Sequence, residues 1–251
     1  MKLVRVYQPE GPRYGILEDD VVHLTSGQST SVEHRTGESL ALSEAKLLVP
    51  TEPSKILGVG RNYADHIAEM GFDVPDRPSL FMKPPSALLA AGGDVVLPEV
   101  STRVEHEAEL AVIIGRRARS IEPETAPSHI LGYACADDVS ARDLQQTDDS
   151  VIRGKGFDTF CPLGPWIETE LDIRNGVGVR CTVNGEVRQN GNTRHLLFDV
   201  PYLVSYLSQF TTLLPGDVIL TGSPGGTGSL RPGDQVEIEV DGVGTLRHGV
   251  R

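Results

Sequence analysis

Long apolar runs are missing from this 251-residue chain. No stretch approaches the ~20 apolar residues of a membrane-spanning helix, so no membrane partner is expected. Basic residues are scarce as well. Lys and Arg number 23 against 35 Asp and Glu, a formal charge of −12. Without clustered cations, neither nucleic acid nor an anionic bilayer is a fitting partner. Aromatic residues make up 5% of the chain, which leaves little for stacking on bases or sugars. The three cysteines, Cys135, Cys161 and Cys181, are odd in number, widely spaced and without a CxxC pair. That excludes a disulfide framework and agrees with a reducing compartment. Met1 to Tyr7 carries charge but no apolar core, so no secretory signal is expected and a cytoplasmic location is the default.

What is present is mostly β-like. Leu3–Tyr7 and Val21–Leu24 have the β-branched content of short strands, while 26–44 is polar and weakly patterned. Residues 1–50 read as a small β domain ending in the linker Pro50-Thr51-Glu52-Pro53, and 51–251 as the main domain. Strands are expected at Ile56–Gly60, Glu107–Gly115, Ile130–Ala136, Val179–Val183, Asp217–Thr221 and Gln235–Val240. Helical patterns are few: Tyr63–Met70, Ser140–Gln145 and Val200–Gln209. Long crossover helices are missing, so an α+β, mostly β fold is expected rather than a βαβ series. Two glycine-rich segments do not make a nucleotide site. Gly58-Val59-Gly60-Arg61-Asn62-Tyr63 has tyrosine where a dinucleotide fingerprint has its third glycine, and Thr221–Gly228 lacks the Gly-Lys-[Ser/Thr] ending of a phosphate loop.

Val104-Glu105-His106-Glu107-Ala108-Glu109-Leu110-Ala111-Val112-Ile113 carries the most information. Alternate residues of a strand share a face, so Glu105, Glu107 and Glu109 line up with Ala111 and Ile113. The apolar end implies an inward face, where several carboxylates repel one another unless a cation lies between them. A hard divalent ion with oxygen ligands fits; a solvated acidic strand end is the ordinary alternative. Asp137-Asp138 ends a buried run. Asp138, Arg142 and Gln145 would share one face of a following helix, an arrangement suited to a metal beside an anionic substrate. On the helix at 63–70, with Asn62 as its cap, His66 and Glu69 are i,i+3 neighbours, and a carboxylate beside an imidazole makes a general base for water. Their ordinary role is an exposed ion pair. Lys155, between Gly154 and Gly156, can approach a ligand and neutralise an enolate, or it is a plain loop lysine. His195 reads as a surface histidine.

Five ordered motifs together resemble the fumarylacetoacetate hydrolase superfamily. They are Gly60–His66 with Glu69-Met70-Gly71; Glu107-Ala108-Glu109-Leu110-Ala111; Asp138–Gln145; Gly154–Asp158; and Pro215-Gly216-Asp217 leading to Thr221-Gly222-Ser223-Pro224. The resemblance runs from about Lys55 to the C-terminus. It implies a mixed β-roll or sandwich catalytic domain, often with a small N-terminal β domain, in a homodimer. It also implies Mg²⁺ or Mn²⁺, Ca²⁺ in some members, held by Glu107, Glu109 and Asp138. By the same resemblance His66 and Glu69 lie on a lid segment, Lys155 is the active-site lysine, and Gln145 with Gly222 and Ser223 of the glycine-rich loop meet the substrate. Arg142, by its own chemistry, would clamp a substrate carboxylate in bidentate fashion or simply pair with Asp138 or Asp143. Asp137, His106, Ser223 and Gly226-Thr227-Gly228 depart from the usual residues without removing a ligand, and leave substrate identity open.

The expected reaction is hydrolysis of a 2,4-dioxo acid of the acylpyruvate or fumarylpyruvate type. His66, oriented by Glu69, activates water, and the pyruvate enolate released by C–C cleavage is held by the metal and Lys155. Related enolate chemistry gives two alternatives, oxaloacetate decarboxylation and isomerisation of a 2-hydroxyhepta-2,4-diene-1,7-dioate-type diacid. A non-catalytic metal-binding β module is the alternative outside enzymes. Three acids are too few to close a six-coordinate site, which favours open, catalytic positions.

Overall fold

The strand Ala108–Ile114 is buried along its whole length, and this decides the architecture. Its even residues, Leu110, Val112 and Ile114, pack with Val179, Cys181, Ile238 and Leu246, while Ala111 and Ile113 pack with Ala134, Ala136, Leu163 and Leu220. A strand apolar on both faces needs a layer on each side. The structure, a computed structural model, describes residues 1–27, 34–71, 73–148 and 151–251.

The strand lies inside an 11-stranded mixed sheet. Ile130–Asp137 and Val218–Leu220 flank it antiparallel. Val218–Leu220 in turn pairs parallel with Ile56–Gly60, which pairs with Ser79–Lys83. A five-stranded sheet containing Gly178–Val183, Gln235–Val240 and Gly244–Val250 forms the second layer. The fold is therefore α+β and mostly β, as its patterning suggested. Four α-helices occur among the described residues: α1 (Ala64–Met70), α2 (Arg142–Thr147), α3 (Ile152–Lys155) and α4 (Val200–Phe210). None is long and apolar enough to cross a membrane.

The first fifty residues contribute four antiparallel strands that continue the large sheet, because Lys2 and Leu3 pair with Glu168 and Ile167. Val4, Val6, Leu17, Val22 and Leu24 make a small core of their own. Arg35–Ala41 is a strand, although its sequence is polar. It lies at the sheet edge with nearly every residue exposed, so burial left no alternation to read. The rest of the expectation for 26–44 falls partly on 28–33, outside the described residues.

Parallel pairing of Ile56–Gly60 with Val218–Leu220 brings both strands to an end at the same rim of the sheet. The segment leading into α1 and the loop Thr221–Gly228 therefore emerge side by side. Asn62 joins them. It does not cap α1, whose cap is Tyr63 with no side-chain bond. Its amide instead donates to the carbonyls of Thr221 (2.8 Å) and Phe198 (3.0 Å) and accepts from the Phe198 N–H.

Candidate metal centre

Register explains how three acids meet. Ala108 lies opposite Asp137, and the Asp138 N–H donates to the Glu107 carbonyl at 2.9 Å. Glu107 falls in the break between the strands Val104–His106 and Ala108–Ile114. Glu109 follows on the face shared with Ala111 and Ile113. Glu107, Glu109 and Asp138 are buried, with one carboxylate oxygen of each lying within 4.8 Å of the others.

The three acids are not equivalent. Glu107 accepts from Lys155 at 2.9 Å and from Arg142 Nη2. Burial pushes its carboxyl up, but Lys155 and Arg142 outweigh that and hold it below the usual carboxylate range. Asp138 accepts from Lys155 and from Lys83, the latter at 2.5 Å. Among the described residues no cationic side chain is bonded to Glu109. It accepts the Gly222 N–H at 2.6 Å, while burial and the charges of Asp138 and Glu107 hold it well above the ordinary range. A buried carboxylate beside two others is costly to ionise unless a cation arrives. Hard oxygen donors on three sides suit Mg²⁺, Mn²⁺ or Ca²⁺, so the residues fit a divalent ion. A proton on Glu109 must leave as the ion binds. Metal affinity is accordingly expected to rise with pH, with proton release on binding, seen by calorimetry in buffers of differing ionisation enthalpy.

A cavity of about 180 Å³ opens over the triad. Its lining includes His66, Lys155, Arg142, Gln145, Ser223 and Arg61. Glu107, Glu109, Asp138, His66, Arg142, Gln145, Lys155 and Ser223 all line this cavity, but several sit differently than expected. Asp138 is not on the helix with Arg142 and Gln145, because α2 begins only at Arg142. Two residues of extended chain, Ser140-Ala141, pair with Val104 and Glu105 and delay the helix. Arg142 is not free to clamp a ligand with its whole fork. Nε donates to Glu105 (2.9 Å), Nη2 to Glu107 and Nη1 to Gln145 (2.7 Å). Glu105, outside the triad, thus anchors the guanidinium.

Lys155 is buried at the end of α3, its ammonium 4.7 Å from the Phe81 ring centroid. Gly154 serves helix packing rather than ligand approach, since a Cβ there would lie 2.8 Å from that of Gln145. His66 lies on the cavity wall with Nδ1 buried and unbonded, 3.7 Å from Glu69. The pair is adjacent but not hydrogen-bonded. Glu69 accepts the Gly226 N–H at 2.8 Å and so ties α1 to the glycine-rich loop. His106 bonds Gln189 through Nδ1 at 2.9 Å, and His195 is exposed.

Gly222 is fixed by geometry. Its φ is +103°, and a Cβ would lie 2.8 Å from that of Asn62. Gly222→Ala is expected to cost about 1–3 kcal/mol of stability, read by urea unfolding, and to weaken metal binding by pulling its N–H from Glu109. Lys83 joins the site without a motif to mark it. Its one signal was a cation closing the apolar run Leu80-Phe81-Met82, and it is buried against Asp138 and the Val139 carbonyl.

Residues 55–251 match the family model described as Fumarylacetoacetate (FAA) hydrolase C-terminal. The chain belongs to this family. Residues 1–50 match a second model, Rv2993c-like, N-terminal. The fold is similar to that of a 5-carboxymethyl-2-hydroxymuconate delta-isomerase from Mycobacterium smegmatis, with TM-score 0.93 and 43% identity, covering 100% of this chain and 99% of that one. It is also similar to a fumarylpyruvate hydrolase from Pseudomonas aeruginosa in complex with Mn²⁺ and pyruvate, with TM-score 0.75 and 33% identity over 82% and 91% of the two chains. The mitochondrial oxaloacetate tautomerase fahd2 of Xenopus laevis is 41% identical over 84% of this chain and 70% of its own length. Family members thus include hydrolases, isomerases and tautomerases, and the acidic triad is a candidate divalent-metal site in this one.

Proposed function

We propose that this member of the family is a divalent-metal-dependent enzyme of small 2-oxo acids that hydrolyses a C–C bond of a 2,4-dioxo acid. The observation that carries the reading is the placement, around one small cavity, of three buried carboxylates, a buried lysine and an imidazole whose Nδ1 has no hydrogen-bond partner among the described residues. Bound to Glu107, Glu109 and Asp138, the ion would supply Lewis-acid charge where an enolate develops.

The chain's own groups then divide the work. Lys155 presents a fixed positive charge that burial alone would weaken, but Asp138 and Glu107 keep it protonated. That charge offsets negative charge appearing on a substrate oxygen. His66, with Nδ1 unbonded, is placed to hold or take a proton. In hydrolysis that proton comes from the attacking water, and the cleaved carbon–carbon bond leaves pyruvate as its enolate. Arg61 and Gln146 add further polar side chains to the cavity lining.

A second reading is keto–enol tautomerisation or decarboxylation of oxaloacetate, or isomerisation of a hydroxy-diene diacid. The Glu69 carboxylate favours it, since it is bonded to Gly226 and stands 3.7 Å from His66 rather than orienting it. Such reactions move protons or CO₂ without activated water. Product analysis separates the readings: acetylpyruvate yields free pyruvate under the first, and oxaloacetate shows metal-dependent enol-to-keto conversion or CO₂ loss under the second. The subunit is further proposed to act as a homodimer on an anionic substrate.

A further inference from the structure

Gln189 lies in the strand Glu186–Asn192, fully buried and outside the triad and α1. Its side-chain oxygen receives the Ala108 N–H at 3.0 Å and His106 Nδ1 at 2.9 Å. A backbone N–H can only donate, so the amide has one admissible orientation: oxygen toward Ala108, nitrogen the other way. The nitrogen donates to Ser223 Oγ at 2.7 Å and to the Pro224 carbonyl at 2.8 Å. An amide nitrogen has no lone pair to offer, so Ser223 must accept from it. The hydroxyl proton has to leave in another direction. Among the described residues Ser223 makes no other side-chain hydrogen bond, and its side chain lines the cavity above the triad.

We propose that Gln189 is a positioning residue that makes Ser223 an obligatory hydrogen-bond donor to the ligand, so that this point of the cavity selects an acceptor oxygen. The inference rests on the reading of the cavity as a 2-oxo-acid site. The polarity begins at Ala108, one residue from both Glu107 and Glu109, passes through the Gln189 amide and ends at the Ser223 proton. Placement of the metal ligands and the direction of the donor are therefore set by one strand. A ligand carboxylate or enolate oxygen accepts the hydroxyl proton; an ammonium or N–H group in the same place leaves that buried proton without an acceptor and is disfavoured.

The test is pyruvate binding to the Mn²⁺-loaded protein, measured by calorimetry. Ser223→Ala is expected to weaken binding roughly tenfold, about the worth of one hydrogen bond, while Ser223→Thr retains affinity within about twofold. Gln189→Met frees the Ser223 proton to turn away from the ligand and is expected to lose up to the same tenfold, and the double variant no more than Ser223→Ala alone, because Gln189 acts only through the hydroxyl. A double variant weakened about a hundredfold would show that Gln189 acts independently of the hydroxyl and overturn the proposal, as would full affinity in Ser223→Ala. Should Gln189→Met fail to fold, Gln189→Glu accepts where the amide donated and turns the Ser223 proton inward. It is expected to lose roughly tenfold, and unchanged affinity overturns the proposal. If the unsubstituted protein binds Mn²⁺ but no pyruvate, the 2-oxo-acid reading falls, and this inference with it. Loss confined to the Ser223 or Gln189 variants keeps both.

Discussion

Glu109→Gln is expected to abolish divalent-metal binding at working concentrations while making the metal-free protein more stable at neutral pH. The two effects have one cause. Among the described residues Glu109 is the triad carboxylate with no cationic side chain bonded to it, and burial with the charges of Asp138 and Glu107 holds it well above the ordinary range. A carboxyl raised on folding contributes its stability below the unfolded value of about 4.3, and loses it as pH rises through the folded value. Glutamine keeps an oxygen for the Gly222 N–H and removes the charge. Altering even partners of metal ligands costs about 10–100-fold in affinity, so loss of a charged ligand should cost at least about a hundredfold. Thermal unfolding with and without Mn²⁺ reads both effects. The unsubstituted chain should gain about 2.7 kcal/mol at metal a hundredfold above Kd, and the variant should gain none. Glu107→Ala should also lose metal and activity, but it strands Lys155 and Arg142 without a buried partner, so its stability falls as well.

His66→Ala is expected to lower hydrolysis of an acylpyruvate by about 10²–10⁴-fold, the usual worth of a general base, with Mn²⁺ affinity unchanged. The imidazole lines the cavity without belonging to the triad, so removing it leaves the three carboxylates in place. Decarboxylation of oxaloacetate needs no activated water and should fall less. Steady-state rates on the two substrates, with metal affinity measured alongside, check the split. Full acylpyruvate hydrolysis in the variant would remove His66 from the reaction.

Most of the site could be read in advance because its acids lie close in sequence and inherit strand geometry. Glu107 and Glu109 flank Ala108, and the two-sided burial of Ala108–Ile114 follows from its unbroken apolar run. Asp138 could be placed at a strand end but not across from Glu107, since pairing register is a tertiary fact. The same limit hid the delay of α2, which depends on Ser140-Ala141 pairing with a distant strand. Asn62 read as a cap because its type favours caps, yet packing against Phe198 and Thr221 claimed its amide instead. Lys83 and Gln189 act through residues 55 and 34 positions away, and nothing local in their segments announces it. The sequence marks Arg142 but not its engagement with Glu105, because a side chain's partners depend on what folds against it.

The central claim is that the triad holds one catalytic ion with open coordination positions. Water-proton relaxation during a Mn²⁺ titration of the metal-stripped protein tests it most directly. One ion per chain is predicted, with enhanced relaxation from exchangeable waters that falls when pyruvate is added. An ion bound without exchangeable water, or no ion bound at the triad, would contradict the account and point to a closed structural site or to none.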